Sequence, residues 1–261
     1  MDALRNIFSP NKTVSRQVMV GIMSFWIFAA LFTWIVFAPK IIPQPLEVFA
    51  AFGTLWKQGI AVELWASFLL NMKALFLSTV ISLLLAYLTV LASMQPVVAA
   101  VGKLRFLGLM GLSLIFTLTI GGGEWLKVTL LTFGMTVYFV TSMAASVAKI
   151  PRESYDHART LRMKKWRVVW EVVVLGQLDE AFEALRQNAA IGWMMLTMVE
   201  GMVKSGGGIG VVLVSQDRVF KLDSVFAIQF MILFVGIALD YAIGVSKNIG
   251  CPYARLSQEK K

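Results

Sequence analysis

Six long apolar stretches dominate this sequence, and each is close to the length that a helix needs to cross a membrane. About 20 mostly apolar residues span the hydrocarbon core of a bilayer. The stretches occupy residues 18–38, 74–93, 104–120, 127–148, 185–203 and 224–246. Residues 61–73, which precede the second stretch, form either an interfacial segment or the first turns of that span. Because backbone polar groups in lipid must find partners within their own segment, helices are the expected form. The sequence therefore predicts an all-α integral membrane protein with about six transmembrane helices.

The composition supports this class and leaves little room for a soluble domain. Of the 261 residues, 58% are hydrophobic and 15% are charged, which is far more apolar than an ordinary soluble domain. The first stretch is longer than the roughly 7 to 15 apolar residues of a signal peptide, so we interpret it as an uncleaved anchor. The predicted organisation is an N-terminal segment at residues 1–17, a transmembrane domain at 18–246 and a polar tail at 247–261.

The distribution of positive charge predicts the orientation of the chain. Lys and Arg are retained on the cytoplasmic side of a membrane. If both termini are cytoplasmic, the densest basic cluster, between Lys149 and Arg167, is cytoplasmic too, and the outer loops contain few cations. The excess of Lys and Arg over Asp and Glu is therefore explained by the membrane topology of the chain. We expect no nucleic-acid partner. The predicted location is the cell (inner) membrane, as a multi-pass protein with both termini in the cytoplasm.

The basic cluster belongs to a cytoplasmic segment, residues 149–182, that has amphipathic character. Tyr155, Ala158 and Leu161 recur at helical spacing, and a second apolar series begins at Trp166. Cations cluster between the two series, which predicts two short helices that meet at an angle. Two functions remain open from the residues alone. The segment either docks on a cytoplasmic protein or binds anionic lipid headgroups through its cations.

The same segment resembles the EAA loop of the membrane subunits of ABC importers. Asp156, His157 and Ala158 stand at the E-A-A positions, and the R-T-L continuation follows directly. Trp166 and Val172 also match positions of the loop. Three replacements depart from the family pattern: Arg162 for its glycine, and Leu175 and Asp179 for two prolines. The lost glycine matters because glycine enters left-handed backbone space without penalty.

Two further segments extend the resemblance over most of the chain. The sequence P-Q-P-L-E-V within residues 43–52 is similar to the P-S-P-x-E-V segment of the nitrate, sulfonate and taurine branch of these permeases. The run from Val199 and Glu200 through S-G-G-G-I-G is similar to the A-E segment and following glycine element of that branch. The chain is thus identified as a member of the ABC-importer permease subunits, in this branch.

The resemblance implies a type I ABC importer permease fold and a defined set of partners. These are a second permease copy, two cytoplasmic ATPase subunits that hold ATP and Mg²⁺, an extracytoplasmic substrate-binding protein and membrane lipid. The implied function is alternating-access import of a small anionic or zwitterionic solute. The chain itself is expected to be no enzyme and to bind no cofactor. Its glycine run at residues 206–210 lacks the Gly-Lys-Ser/Thr that follows in a phosphate-binding loop.

The resemblance also implies which residues couple the chain to the ATPase. Apolar side chains at Tyr155, Ala158, Leu161 and Met163 would fill a groove of the ATPase, and the neighbouring cations would meet acidic partners or headgroups. The full predicted coupling loop consists of Tyr155, Asp156, Ala158, Arg159, Thr160, Leu161, Arg162, Met163, Lys164, Lys165 and Trp166.

Polar residues in and after the fifth stretch are the candidates for the translocation path and its gate. They are Gln187, Asn188, Trp193, Thr197, Glu200, Gly206 and Gly208. Glu183 and Arg186 are three residues apart, so we predict that they pair on one helix face. The alternative function is a secondary transporter or channel, which would need buried carboxylates such as Glu200 or Asp240. A membrane enzyme is disfavoured because the sequence shows no metal-ligand spacing and has one histidine.

Overall fold

The computed structural model describes residues 15–37, 39 and 41–251, and all regular secondary structure in these ranges is helical. The all-α prediction is confirmed. Most of the predicted terminal segments, residues 1–14 and 252–261, lies outside the described residues. The α-helices are α1 Arg16–Phe37, α2 Pro45–Lys57, α3 Ile60–Leu88, α4 Gln95–Lys103, α5 Leu109–Ile120, α6 Glu124–Ala148, α7 Arg152–Thr160, α8 Lys165–Val168, α9 Leu178–Met202, α10 Ile209–Arg218 and α11 Leu222–Gly250.

Four of these helices, α1, α3, α6 and α11, are long and apolar enough to cross a membrane. The second predicted stretch begins earlier than expected, because α3 starts at Ile60 and includes the charged residues Glu63 and Lys73. Its 29 residues make a rod of about 44 Å. The fifth predicted stretch forms α9 at Leu178–Met202, which has sufficient length but too many polar residues to meet the same criterion.

The third predicted stretch is not one straight helix. It consists of a 3₁₀ turn at Leu104–Phe106, which directly follows α4, and of α5, and the axis bends by 109° between Gln95–Phe106 and Leu109–Ile120. Leu107 and Gly108 have extended backbone angles that interrupt the helix. The described residues therefore provide four apolar spans, or five if the bent pair counts as one span. The expected number of six is reached only when the more polar α9 is included.

The core lies where α3, α6 and α9 pack against one another. α6 is the most enclosed helix, and its buried residues include Leu130, Leu131 and Phe139. α9 contributes Leu196 and Val199 to the same core, and α11 contributes Ile228. Because the apolar burial is shared among these helices, the polar α9 is held by packing rather than by its own contact with lipid.

The first helix stands apart from this bundle. None of the apolar stretch of α1 is buried inside the chain. Its main attachment is Trp34, whose ring lies 6.0 Å from that of Phe230 and 6.1 Å from that of Phe226. The Trp34 indole N–H also donates to the carbonyl of Pro43 at 3.2 Å. α1 is thus anchored near one end, and its remaining apolar surface is available to lipid or to another chain.

Candidate functional site

The basic segment folds into a helical hairpin between α6 and α9, which we call the coupling hairpin (residues 149–177). α7, at Arg152–Thr160, forms its first arm. α8 and a π-helical segment, Val169–Leu175, form the second arm. The two short helices predicted from the apolar spacing are therefore present. The second arm is joined to the start of α9 by a two-residue turn, Gly176 and Gln177.

The bend of the hairpin is made by Arg162, at the position where the resemblance to the EAA loop leads us to expect glycine. Arg162 has φ +54°, in the left-handed region. Its N–H donates to the carbonyl of Arg159 at 2.9 Å, and the N–H of Met163 donates to the carbonyl of Ala158 at 3.4 Å. These two bonds form the Schellman motif that commonly ends a helix with glycine. The tight bend is kept without the glycine, at the steric cost of a side chain in left-handed space.

The hairpin presents some of the predicted coupling residues outward and buries another. Leu161 and Trp166 are 58% and 72% exposed. Ala158 is only 4% exposed and packs inside the chain, which disfavours the prediction that it fills a partner's groove. Tyr155 is half-buried, and this burial raises the pKa of its hydroxyl above the usual value. The outer surface therefore includes Leu161, Trp166 and the surrounding cations.

Most of the cations on the hairpin are exposed, and three of them, Arg162, Lys164 and Lys165, form no salt bridge with a carboxylate of the described residues. Arg159 contacts Asp156 at 3.2 Å, and Arg167 lies 3.8 Å from Glu171. Arg162, Lys164 and Lys165 are exposed. Because exposed pairs are held weakly, these charges are free to meet an acidic protein surface or anionic headgroups.

The glycine turn at the other end of α9 is held by side chains from three helices, α3, α6 and α9, in an arrangement that we call the glycine clamp (Glu63, Ser67, Lys127, Glu200 and residues 206–210). The N–H of Gly208 donates to Glu63 Oε2 at 2.5 Å. The N–H of Ile209 donates to Ser67 Oγ at 2.8 Å, and the N–H of Gly210 donates to Glu200 Oε2 at 2.8 Å. These are the first N–H groups of α10, which otherwise lack partners at a helix start.

Two further bonds close the glycine clamp. Ser67 donates its hydroxyl to Glu200 Oε1 at 2.7 Å, and Lys127 donates from Nζ to the carbonyl of Gly207 at 2.7 Å. Glu200 and Lys127 are 1% and 2% exposed. Gly206, Gly207 and Gly208 all have positive φ, and a Cβ on Gly208 would collide with the Glu200 carboxylate. The glycines thus let the backbone approach a buried acid.

Sequence reasoning found Glu200, Gly206 and Gly208 but missed their partners. Glu63 and Ser67 are four residues apart and share a helix face, yet they precede the predicted start of the second stretch. Lys127 begins the fourth predicted stretch, but the sequence gives no sign that its side chain is buried in α6 and bound to Gly207. The described residues contain no group of three or more His, Cys, Asp or Glu that could hold a metal ion. The glycine clamp is therefore built from hydrogen bonds and opposite charges.

A groove of about 510 Å³ runs between α9 and α11, and we call it the α9–α11 groove. At one end, Arg186 makes two hydrogen bonds to Asp240, from Nε at 2.5 Å and from Nη2 at 2.6 Å. Glu183 lies 3.4 Å from Lys247 instead, and Asp179 lies 2.8 Å from Lys247. The predicted Glu183–Arg186 pair is thus replaced by bridges from α9 to α11, because both helices bring opposite charges to the same level.

The predicted polar residues of α9 lie on two different faces. Trp193 and Thr197 line the α9–α11 groove, although Trp193 is buried and donates its indole N–H to the carbonyl of Ile232 at 2.7 Å. Gln187 and Asn188 line a separate cleft that also contains Arg105. Asn188 is buried and donates to Ser78 Oγ at 3.4 Å. These candidates for the translocation path are therefore divided between two separate cavities.

Comparison with known proteins gives relatives of one kind. No protein-family model matches the chain. The taurine transport system permease protein TauC of Escherichia coli K12 is 24% identical over 246 residues, 88% of each chain. A protein of Methanocaldococcus jannaschii named as an ABC transporter permease is 24% identical over 120 residues, which are 46% of this chain and 45% of that relative.

A solved structure has a similar fold. A chain of the MetNI methionine ABC transporter, determined in inward-facing conformations, aligns with 70% of this chain and 95% of its own length. The TM-score is 0.50 and the sequence identity is 16%. The apolar helices and the permease relatives agree on a multi-pass membrane protein. The relatives of this chain are thus ABC transporter permeases, and its fold is that of an ABC importer's membrane subunit.

Proposed function

We propose that the chain forms the translocation path of an ATP-driven importer and moves its solute by alternating access. The coupling hairpin is the observation that carries this proposal. It displays exposed Leu161 and Trp166 among cations, and it is joined by a two-residue turn to α9, which packs in the core of the bundle. An amphipathic helix seated in a groove of a partner is a common recognition mode. The acceptor in this proposal is a cytoplasmic ATPase subunit.

The connection of the hairpin to α9 gives a physical route for the coupling. α9 borders the α9–α11 groove along its length and contributes Glu200 to the glycine clamp at its far end. A push on the hairpin that tilts or shifts α9 would therefore change the groove and the clamp together. Packed helices respond by moving as rigid bodies, since their interfaces are not continuously deformable.

The further parts of the proposal follow from the permease relatives. Two ATPase subunits would supply ATP and Mg²⁺, an extracytoplasmic protein would deliver the solute, and a second permease copy would complete the path. The protein would reside in the cell (inner) membrane with cytoplasmic termini. The name of TauC supports a small anionic or zwitterionic solute, of which a sulfonate is one type.

The test is an ATPase assay on the purified complex in nanodiscs, with substitutions at opposite ends of the molecule. Leu161→Asp should abolish the stimulation of ATP hydrolysis by the loaded binding protein, because it places a charge in the proposed docking surface. Its matched control is Phe220→Asp, which alters a residue that is 85% exposed after α10. This control should retain ATPase association.

Equal stimulation by Leu161→Asp and the unsubstituted protein would contradict the docking role of the hairpin. Uptake by the purified chain with no ATPase present would instead establish the alternative, a secondary transporter or channel. The bonding of Glu200 speaks against that alternative. Its carboxylate accepts bonds from Ser67 and Gly210, so it is engaged in structure rather than held ready as a proton relay.

A further inference from the structure

The α9–α11 groove contains a charged pair that faces open space. The side chains of Arg186 and Asp240 are 43% and 42% exposed, and both line the groove. Charged side chains within membrane-spanning helices are costly unless they face the interior of a bundle or a water-filled cavity. The groove wall carrying this pair is therefore an unfavourable surface for lipid and a suitable one for an aqueous path.

The geometry of the pair leaves part of each charge available. Arg186 uses Nε and Nη2 to bind the two oxygens of Asp240. A guanidinium has five N–H donors, and a carboxylate accepts about four hydrogen bonds. The exposed remainder of Arg186 is thus suited to an anionic group, and the exposed remainder of Asp240 is suited to an ammonium group.

The remaining lining fits a small molecule. Trp193 is fixed against the other wall by its bond to Ile232, and Gly236 leaves room for its ring, since a Cβ there would lie 3.2 Å from Trp193 Cδ1. Thr197 and Gln229 add polar groups along the groove, and most of the other lining side chains, such as Met194 and Leu233, are apolar. The groove therefore combines a rigid aromatic wall with charges of both signs at one end.

We propose that Arg186 and Asp240 bind the solute during its passage, and that this solute is a small zwitterion with an anionic group and an ammonium group. The inference rests on the proposed function, because it assumes that the groove is part of the path. Between solutes, the two residues neutralise each other. A zwitterion can replace both partners at once, whereas a singly charged solute would leave one charge without a partner, which is unfavourable away from bulk water.

A second salt bridge between α9 and α11 provides a control that distinguishes solute binding by Arg186 and Asp240 from a purely structural role. Lys247 on α11 binds Asp179 and Glu183 on α9, and none of these three residues lines the groove. If Arg186 and Asp240 served only to hold α9 to α11, removal of Lys247 should have the same effect as removal of Arg186. Lys247→Gln is therefore the matched control.

The experiment is calorimetric titration of the full-length chain with its ATPase subunits in nanodiscs, without the binding protein. The probes are taurine, which carries a sulfonate and an ammonium group, and isethionate, which has a hydroxyl in place of the ammonium. Arg186→Gln should weaken the binding of both probes by about tenfold or more. Asp240→Asn should weaken taurine binding by a similar factor and remove the preference for taurine over isethionate. Lys247→Gln should bind both probes like the unsubstituted protein.

The exchanged variant, Arg186→Asp with Asp240→Arg, controls for the possibility that the single variants lose binding because they fail to fold. It keeps both charges in the groove, so taurine should bind it more tightly than it binds either single variant. Unchanged taurine binding by Arg186→Gln and Asp240→Asn, no taurine binding by the unsubstituted complex, or equal weakening by Lys247→Gln would each overturn the inference. Stimulation of ATP hydrolysis, measured on the same preparations, reports separately on the proposed function.

Discussion

At the scale of single residues, Arg162 shows how a helical bend survives the loss of glycine. Its N–H and that of Met163 make the two bonds of the Schellman motif, so hydrogen bonding compensates for the left-handed backbone. The sequence showed the replacement and its steric cost, but only the structure shows that the bend is retained. The side chain also adds a cation to the proposed docking surface.

Replacing Arg162 by glycine should stabilise the hairpin. Because a residue with a Cβ is strained at positive φ, Arg162→Gly should raise the free energy of unfolding by about 1 kcal/mol. Thermal unfolding of the purified protein in nanodiscs measures this change. Arg162→Ala is the control, since it removes the charge but keeps the strain, and it should give no stabilisation. Equal stabilisation by both variants would assign the effect to charge instead.

Glu200 is the residue on which the glycine clamp depends most. Glu200→Gln replaces one accepting oxygen by an NH₂ group, which cannot accept the bonds from both Ser67 and Gly210. A buried donor that loses its partner costs about 1–3 kcal/mol, so the free energy of unfolding should fall by that amount. Limited proteolysis at residues 203–208 should accelerate in parallel.

The control for Glu200→Gln is Glu124→Gln. Glu124 pairs with Lys73, but both side chains are 58% exposed, and exposed pairs contribute about 0–1 kcal/mol. A loss of stability in Glu124→Gln as large as that in Glu200→Gln would contradict the structural role of the buried clamp.

At the scale of helices, the contact between α9 and α11 depends on a small residue. The indole of Trp193 lies against Gly236 and donates to Ile232. Gly236→Ala should therefore push the helices apart and cost about 1–3 kcal/mol, the usual range for overpacking. Gly244→Ala on the same helix is the matched control, because nothing lies within 4 Å of a Cβ there. Thermal unfolding of the two variants should separate them, and equal stabilities would contradict the close contact.

The helices also show where apolar length was a sufficient guide and where it was not. α6 and α11 were expected from their apolar sequence and appear close to the predicted bounds. The charges of Glu63 and Lys73 lower the hydropathy of the first turns of α3, so an apolar pattern does not include them in the span. Hydropathy does not show that these side chains bind Gly208 and Glu124. The bend before α5 arises from the extended backbone of Leu107 and Gly108, which an apolar pattern does not reveal.

At the scale of the whole molecule, the coupling hairpin and the glycine clamp lie at opposite ends of α9. The distribution of cations predicts that the hairpin is cytoplasmic. Single cysteines introduced in a Cys251→Ser background test this orientation. Phe220→Cys should react with a membrane-impermeant maleimide in spheroplasts, and Leu161→Cys should react only after lysis. Labelling of Leu161→Cys in intact spheroplasts would invert the topology and remove the proposed ATPase contact.

The sequence by itself determined that this protein is a helical membrane protein with a basic amphipathic segment, because apolar length and charge placement are local properties of the chain. The tertiary structure alone decided which charges meet. It joined Glu63, Ser67 and Lys127 to the glycine turn, and it paired Arg186 with Asp240 rather than with Glu183. Such partners are far apart in sequence, and the packing of α3, α6, α9 and α11 brings them together.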